Sequence, residues 1–130
     1  MAEKSILLDT GILIEYFRNK EKSKSFLYRL SLKDFDFKVS SISQYEVLLG
    51  ASKEQMNFWK EFFDRVEVLS FTSDSAVVAS GIYKELKFKN KLIDIADILI
   101  ASVAVSNAIP LATLNFKHFT RIGALDILDL

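Results

Sequence analysis

Apolar and polar positions along this chain fall into short blocks whose spacing alternates between that of strands and that of helices. The first block is the apolar run 6–8, which ends at Asp9 and is followed at once by a helical pattern over 11–19. Later blocks with the alternation and residue types of strands are 35–40, 66–69, 109–113 and 124–128.

Helical spacing predicts the segments that join these strands. The predicted helices are 11–19, 24–32, 41–50, 52–64, 72–90 and 95–105, with a short helix near 116–119. The buried face predicted for the longest of them is Ala76, Ala79, Ile82, Tyr83 and Leu86. Strands separated by helices imply right-handed crossovers, so the predicted fold class is α/β, with three α/β/α layers and a mostly parallel sheet of about five strands.

Size and composition are those of one intracellular globular domain. The chain has 130 residues and no Cys, which excludes a disulfide framework and a thiolate metal site. Its apolar stretches are too short to span a bilayer, and we expect a cytoplasmic protein with no membrane partner. Lys plus Arg equals Asp plus Glu at 17 each, so net charge neither supports nor excludes nucleic-acid binding.

Four polar side chains lie at strand-to-helix junctions. Asp9 follows the first strand, Glu46 follows the second, Asp97 opens the helix before the fourth, and Asn115 follows the fourth. If the first and fourth strands are neighbours, all four side chains converge on one edge of the sheet. Oxygen ligands without His or Cys suit Mg²⁺ or Mn²⁺, and such ions activate water for phosphodiester hydrolysis.

Simpler structural roles remain open for several of these residues. Asp9 is a preferred residue type for capping the helix 11–19. Ser43 and Glu46 fit the S-x-x-E capping box ahead of an apolar run. Asp94 can cap the buried helix that Asp97 opens, and His118 is expected to cap or pack locally, or to contact a phosphate.

Four sequence blocks resemble those of PIN-domain ribonucleases, and most closely the VapC-type toxins of bacterial and archaeal toxin–antitoxin pairs. The blocks are Leu8-Asp9-Thr10-Gly11-Ile12-Leu13-Ile14, Ser43-Gln44-Tyr45-Glu46-Val47-Leu48-Leu49-Gly50-Ala51, Asp97-Ile98-Leu99-Ile100-Ala101 and Leu111-Ala112-Thr113-Leu114-Asn115-Phe116-Lys117-His118-Phe119. They occur in the family's order and cover nearly the whole chain, so the resemblance implies a single PIN-like domain over 1–130.

The resemblance also implies an activity, partners and residue roles. It implies an endoribonuclease dependent on Mg²⁺ or Mn²⁺, usually a homodimer, that acts on RNA and is held inactive by a cognate VapB-type antitoxin. Asp9, Glu46 and Asp97 match the family's three acidic positions, and Thr10 matches a small polar position that supports the first acid. Asn115 stands where many members have a fourth Asp, which puts a second metal in doubt. Asp94, one helical turn before Asp97, is a candidate to replace that charge.

Two alternatives of other classes compete with this interpretation. Asp9-Thr10-Gly11 also matches the active-site triplet of aspartic proteases, which would need a dimer to supply two carboxylates. The second alternative is a PIN-like or flavodoxin-like binding module, which would have the same fold class but would not catalyse RNA cleavage. Metal-dependent RNA cleavage that is lost on chelation separates both from a nuclease.

Basic and aromatic residues outside the junctions suggest binding surfaces. The candidate RNA-binding residues are Lys87, Lys89, Lys91, Lys117 and Arg121, with the basic turn 18–24 as the next candidate. The helix 52–64 carries Phe58, Trp59, Phe62 and Phe63, more aromatic surface than one core stripe needs. That surplus predicts a subunit or partner interface.

Overall fold

A parallel sheet with β1 (Lys4–Leu8) in its interior organises the computed structural model, which describes residues 4–129. The other strands are β2 (Phe35–Ser40), β3 (Glu67–Leu69) and β4 (Leu111–Ala112). Their order across the sheet is β3-β2-β1-β4, and every neighbouring pair is parallel. The first and fourth strands are therefore neighbours, which meets the condition for the junction residues to converge, and their carboxyl ends lie at the same edge.

Helices connect all consecutive strands. They are α1 (Thr10–Arg18), α2 (Phe26–Ser31), α3 (Ser41–Gly50), α4 (Met56–Arg65), α5 (Ser73–Phe88), α6 (Ile95–Ser106) and α7 (Phe116–Phe119), with 3-10 turns at Lys22–Lys24 and Lys53–Gln55. Parallel neighbours need such crossover connections, because a tight turn can only return the chain antiparallel.

Helices cover both faces of the sheet, and β1 shows how. Ile6 and Leu8 pack with Ile12 and Trp59 in one apolar cluster, whereas Leu7 packs with the helices α5 and α6 in another. Successive side chains of a strand point to opposite faces, so the unbroken apolar run of β1 is what a doubly covered strand requires. The predicted α/β/α layering is confirmed.

The predicted fifth strand is reduced to one isolated bridge. Ile127 pairs in parallel with Leu111, through Leu111 N–H to the Asp126 carbonyl at 2.9 Å and Leu128 N–H to the Leu111 carbonyl at 2.8 Å. β4 itself has only two paired residues, so the last residues of the chain have little strand to pair with. The described sheet consequently has four strands instead of about five.

The longest helix is shorter than predicted, and it buries three of the five residues predicted for its inner face, Ala79, Ile82 and Leu86. Thr72 caps it by accepting the Ser75 N–H at 3.1 Å, and it ends at Phe88 instead of residue 90. Its buried residues are Ser75, Ala79, Ile82 and Leu86, while the predicted Ala76 and Tyr83 are exposed. The Ser75 hydroxyl pairs with that of Ser106 at 2.9 Å, which lets a polar residue occupy the contact with α6.

The aromatic residues of α4 are used largely within the chain's own core. Trp59 is 2% exposed and Phe63 is 9% exposed, and the Trp59 ring lies 5.1 Å from that of Phe17. Only Phe58 among the four is classed as exposed. This burial removes most of the reason for predicting a subunit interface from the aromatic surplus alone.

Among residues 4–129, no helix combines the length and the hydropathy needed to cross a membrane.

Candidate active site

Asp9 both caps a helix and contributes to an acidic cluster. It is 6% exposed at the end of β1, where its Oδ1 accepts the Thr10 N–H at 2.8 Å and its Oδ2 accepts the Thr113 hydroxyl at 2.7 Å. Burial raises its pKa above the usual value, the two hydrogen bonds oppose that rise, and the nearby Glu46 charge adds to it. The capping role and the site role are therefore compatible.

Glu46 has no part in capping α3, so the predicted capping box is wrong. The helix begins at Ser41, as its predicted range has it, and its cap is Ser40, whose hydroxyl accepts the Ser43 N–H at 3.0 Å. Glu46 instead lies in the middle of α3, half-buried, and its Oε1 is 2.8 Å from the Thr10 hydroxyl. Ser40 takes the cap because it ends β2 in extended conformation directly before the first helical residue.

The Thr10 hydroxyl links α1 to two residues of α3. It lies 2.8 Å from Ser43 Oγ as well as 2.8 Å from Glu46 Oε1. A hydroxyl has one proton and an ionised carboxylate only accepts, so Thr10 donates to Glu46 and Ser43 donates to Thr10. Thr10 was predicted to support Asp9. Its backbone N–H does so, but its side chain holds Glu46.

Asp97 lies in the first turn of α6 and is half-buried. Burial and the negative charges of Asp9, Asp94 and Glu46 raise its pKa to about 6, with a smaller opposing effect from His118. Three carboxylates thus act on a fourth, and three of the four predicted junction residues, Asp9, Glu46 and Asp97, lie near enough to interact electrostatically. Asp94 stands at the cap position of α6, yet its side chain makes no capping hydrogen bond.

Asn115 directly precedes α7, and its backbone N–H ties it to the residue that follows β4. Its N–H donates to the Thr113 hydroxyl oxygen at 2.9 Å, and its side-chain amide lies 2.8 Å from His118 Nδ1. The imidazole therefore makes the local contact expected of it. An amide that is bonded to a ring nitrogen still has its carbonyl oxygen for another partner.

The donor set fits a divalent cation that prefers oxygen. Asp9, Glu46 and Asp97 supply carboxylates whose mutual repulsion a cation would relieve, and His118 is the only imidazole nearby. Across residues 4–129, no three His, Cys, Asp or Glu side chains lie close enough together to hold a metal ion. Mg²⁺ is commonly bound through only one or two carboxylates and keeps several waters, so pairs of these acids suit that ion.

Thr113 and Ser43 are site residues that the sequence pattern did not reveal. Thr113 is 3% exposed, and its hydroxyl donates to Asp9. Ser43 is 0% exposed, and its hydroxyl contacts that of Thr10, the residue that holds Glu46. The available signal was a hydroxyl residue at the end of β4 and another inside the apolar α3. From the sequence alone, a Thr or Ser at such a position cannot be assigned to a site contact or to ordinary packing, because the strand or helix that it contacts is not known.

The candidate RNA-binding residues divide by their contacts. Lys87, Lys91 and Lys117 are exposed, and Lys89 pairs with Glu85 at 2.8 Å. Arg121 donates from one guanidinium nitrogen to the Leu92 carbonyl at 3.2 Å and the Lys91 carbonyl at 3.4 Å. Arg121 thus joins the segment after α7 to the turn before Asp94.

The basic turn after α1 has a structural contact of its own. Lys22 Nζ donates to the carbonyls of Tyr16, Phe17 and Asn19 at 2.7–2.8 Å, which closes the carboxyl end of α1. This role makes Lys22 a weaker candidate for an RNA contact, while Arg18 and Lys20 of the same turn are exposed.

Comparison with known proteins gives similarity over nearly the whole chain. A family model described as PIN domain matches residues 6–125. Ribonuclease VapC1 of Methanocaldococcus jannaschii is 32% identical over 124 residues, which are 92% of this chain and 82% of the relative. The tRNA(fMet)-specific endonuclease VapC of Shigella flexneri is 31% identical over 124 residues, 92% of each chain.

A solved structure agrees with the sequence relatives. The DNA-bound VapBC from Salmonella typhimurium matches with a TM-score of 0.86 at 28% identity, covering 97% of this chain and 98% of that chain. The match therefore covers nearly all of the described fold. The range of the family model includes all four junction residues, Asp9, Glu46, Asp97 and Asn115.

Proposed function

The chain belongs to the PIN-domain family, among the VapC ribonucleases, and on that basis we propose that it is the endoribonuclease toxin of a toxin–antitoxin pair. The observation that carries the proposal is the gathering of Asp9, Glu46 and Asp97 at one edge of the sheet, with the pKa of Asp97 raised to about 6. Acidic groups that lie close together and have raised pKa values are typical of functional sites.

The cofactor we propose is Mg²⁺ or Mn²⁺, held by Asp9, Glu46 and Asp97 with a contribution from Asp94. When bound, the ion activates water and stabilises the charge that develops on the phosphodiester. Asn115 is a neutral oxygen donor beside these acids, and one ion is therefore better supported than two.

The chain's own residues prepare these acids for the cation. Thr10 holds Glu46 and, through its backbone N–H, Asp9. Burial and the neighbouring acids raise the pKa of Asp97, and a bound cation would favour its ionised form, because an adjacent positive charge lowers the pKa of a carboxyl group. These contacts supply orientation and charge before RNA arrives.

RNA is the substrate, and its phosphates need cationic contacts beside an acidic site. We assign that role to Lys87, Lys89, Lys91, Lys117 and Arg121. The exposed ammonium groups of Lys87, Lys91 and Lys117 support the assignment. Because the Arg121 contacts use only one of its guanidinium nitrogens, its other N–H groups remain for a phosphate.

The partners we propose are a VapB-type antitoxin and a second copy of the chain. A cavity of about 540 Å³ between α1, α2 and α4 supports docking of an apolar antitoxin segment. Its apolar wall includes Tyr16, Leu27, Tyr28, Phe58 and Phe62. Apolar concavities of this size are typical of binding sites.

An aspartic protease is ruled out by the fold. Aspartic proteases are almost entirely β, whereas Asp9-Thr10-Gly11 here links a parallel strand to a helix. The Asp9 carboxylate accepts from Thr10 and Thr113, and its carboxylate neighbours, Glu46 and Asp97, lie on other helices of the same chain.

Cleavage of labelled RNA by the purified chain tests the proposal. We expect cleavage of a tRNA panel with Mg²⁺ or Mn²⁺, its loss in EDTA, and its loss in Glu46→Gln with metal present. Glu54→Gln, an exposed acid on the 3-10 turn before α4, is the matched control and should cleave normally. RNA cleavage that survives EDTA or Glu46→Gln would contradict the proposed mechanism.

A further inference from the structure

Thr113 connects two of the junction residues through one buried hydroxyl. It follows β4, is 3% exposed, and donates to Asp9 Oδ2 at 2.7 Å while accepting the Asn115 N–H at 2.9 Å. The bond to Asp9 joins residues 104 positions apart in the chain. Because the hydroxyl is buried, its hydrogen-bond partners are protein atoms, and its single O–H donates to the Asp9 carboxylate.

The contact completes the restraint of Asp9. The carboxyl torsion of an Asp side chain is broad when nothing holds it, so a single hydrogen bond leaves the plane of the group free to turn. Here the Thr10 N–H holds Oδ1 and the Thr113 hydroxyl holds Oδ2. Two donors on different oxygens set the plane of the carboxylate, and each oxygen keeps a lone pair for another partner.

We propose that Thr113 is a positioning residue that holds Asp9 in the orientation in which it binds the divalent cation. This inference rests on the proposed function, because it concerns the cation that the acids bind. Thr113 contacts neither the cation nor RNA and acts through Asp9. Hydrogen-bond partners of metal-binding carboxylates fix the ligand's orientation, and their loss typically lowers metal affinity by about 10–100-fold.

A purely structural role for Thr113 makes different predictions. Its hydroxyl also accepts the Asn115 N–H and so stabilises the turn after β4. If that were its whole contribution, removing the hydroxyl would lower stability and leave the metal affinity of the folded protein unchanged. Metal affinity measured without RNA therefore separates the two roles.

The experiment compares Thr113→Val, which keeps the shape and removes the hydroxyl, with Thr113→Ser, which keeps the hydroxyl. The control is Ser102→Ala, which removes another fully buried hydroxyl whose partner is the Leu99 carbonyl of α6. Mn²⁺ binding to the purified full chain is measured by calorimetry and by the electron paramagnetic resonance of free Mn²⁺. Circular dichroism and urea unfolding report the fold of each variant.

We expect Thr113→Val to bind Mn²⁺ about 10–100-fold more weakly, Thr113→Ser to stay within about threefold of wild type, and Ser102→Ala to match it. RNA cleavage by Thr113→Val should fall at limiting Mn²⁺ and recover as Mn²⁺ is raised. If Thr113→Val does not fold, Thr113→Ala takes its place, with the same expectation relative to Thr113→Ser.

Equal Mn²⁺ affinity in wild type and a folded Thr113→Val or Thr113→Ala would overturn the positioning role and leave the proposed function intact. A Thr113→Ser variant as weak as Thr113→Val would also overturn it, because the hydroxyl would then not be the cause. A wild-type chain that binds no Mn²⁺ and cleaves RNA in EDTA would remove the proposed metal chemistry and this inference with it.

Discussion

The Thr10 hydroxyl donates to Glu46 Oε1 at 2.8 Å, so the first residue of α1 positions an acid carried by α3. The same residue donates its backbone N–H to Asp9 Oδ1 at 2.8 Å. One Thr thereby restrains two carboxylates that follow different strands. This relationship makes Thr10 the most direct test of whether the acids must be held in fixed orientations.

Thr10→Val should reduce metal-dependent cleavage by about 10–100-fold with little change in fold, because it removes a hydroxyl and keeps the backbone N–H. Single-turnover cleavage at fixed Mn²⁺ measures the effect. Thr10→Ser keeps the hydroxyl and should retain most activity. Equal activity in Thr10→Val and wild type would show that Glu46 does not need this hydrogen bond.

Asp97→Asn should abolish cleavage and stabilise the metal-free protein at neutral pH. In the wild type, the pKa of Asp97 is raised from 3.8 to about 6, so its contribution to stability is present below about pH 4 and is lost as pH rises through 6. At pH 7 the variant should therefore be more stable, by on the order of 1 kcal/mol, because solvent around this half-buried side chain screens the repulsion.

Urea unfolding in EDTA between pH 4 and pH 8 measures this difference. The free-energy gap between Asp97→Asn and wild type should be small near pH 4, where the wild-type carboxyl is protonated, and should grow toward pH 7. Asp74→Asn, at an exposed first-turn acid of α5, controls for loss of one charge. A gap that does not change with pH would contradict the raised pKa.

Asn115→Asp should tighten Mn²⁺ binding, because it adds a charged oxygen beside the other acids. Calorimetric titration of the metal measures the change. The new carboxylate should also lie against His118 and favour its protonated form, since Asn115 Nδ2 is now 2.8 Å from His118 Nδ1. Unchanged or weaker Mn²⁺ binding would indicate that Asn115 serves its local contacts instead of the cation.

Replacing Lys87 and Lys91 with Ala should weaken RNA binding and flatten its salt dependence. Removing a lysine that binds one phosphate lowers the logarithmic salt slope by roughly one unit, because fewer counterions are released on binding. Fluorescence anisotropy in an Asp97→Asn background separates binding from cleavage. Lys89 is left in place because it pairs with Glu85.

The charge-matched control replaces Lys4 and Lys33, which lie at the amino ends of β1 and β2, the opposite edge of the sheet. These changes should leave RNA affinity and its salt slope unaltered. Equal effects from the two pairs would mean that overall charge, and not a surface beside Asp94 and Asp97, governs binding.

Phe58→Asp should weaken binding of the antitoxin by placing a charge in the cavity between α1, α2 and α4. Co-purification with a co-expressed VapB-type antitoxin measures the effect. Phe88→Asp is the control, because Phe88 is 92% exposed at the end of α5 and lies outside that cavity. If the antitoxin binds Phe58→Asp as it binds wild type, another surface receives it.

Local sequence patterns were sufficient for the order of elements and for the placement of the acids. The unbroken apolar run before Asp9 predicts a strand buried on both faces, and helical spacing predicts the crossovers that make the sheet parallel. Because parallel strands end at one edge, chain order predicted that Asp9, Glu46 and Asp97 would lie together if the first and fourth strands were neighbours. The resemblance to PIN-domain ribonucleases then indicated the chemistry, and the family match confirmed the resemblance.

Only the tertiary structure decided which side chains hold the acids. Ser40, and not Ser43, caps α3, because strand β2 runs directly into the helix. Thr113 reaches Asp9 because β4 lies beside β1, a pairing between residues more than a hundred positions apart. Hydroxyl residues look alike in a sequence, and their partners depend on long-range packing, which no local pattern encodes.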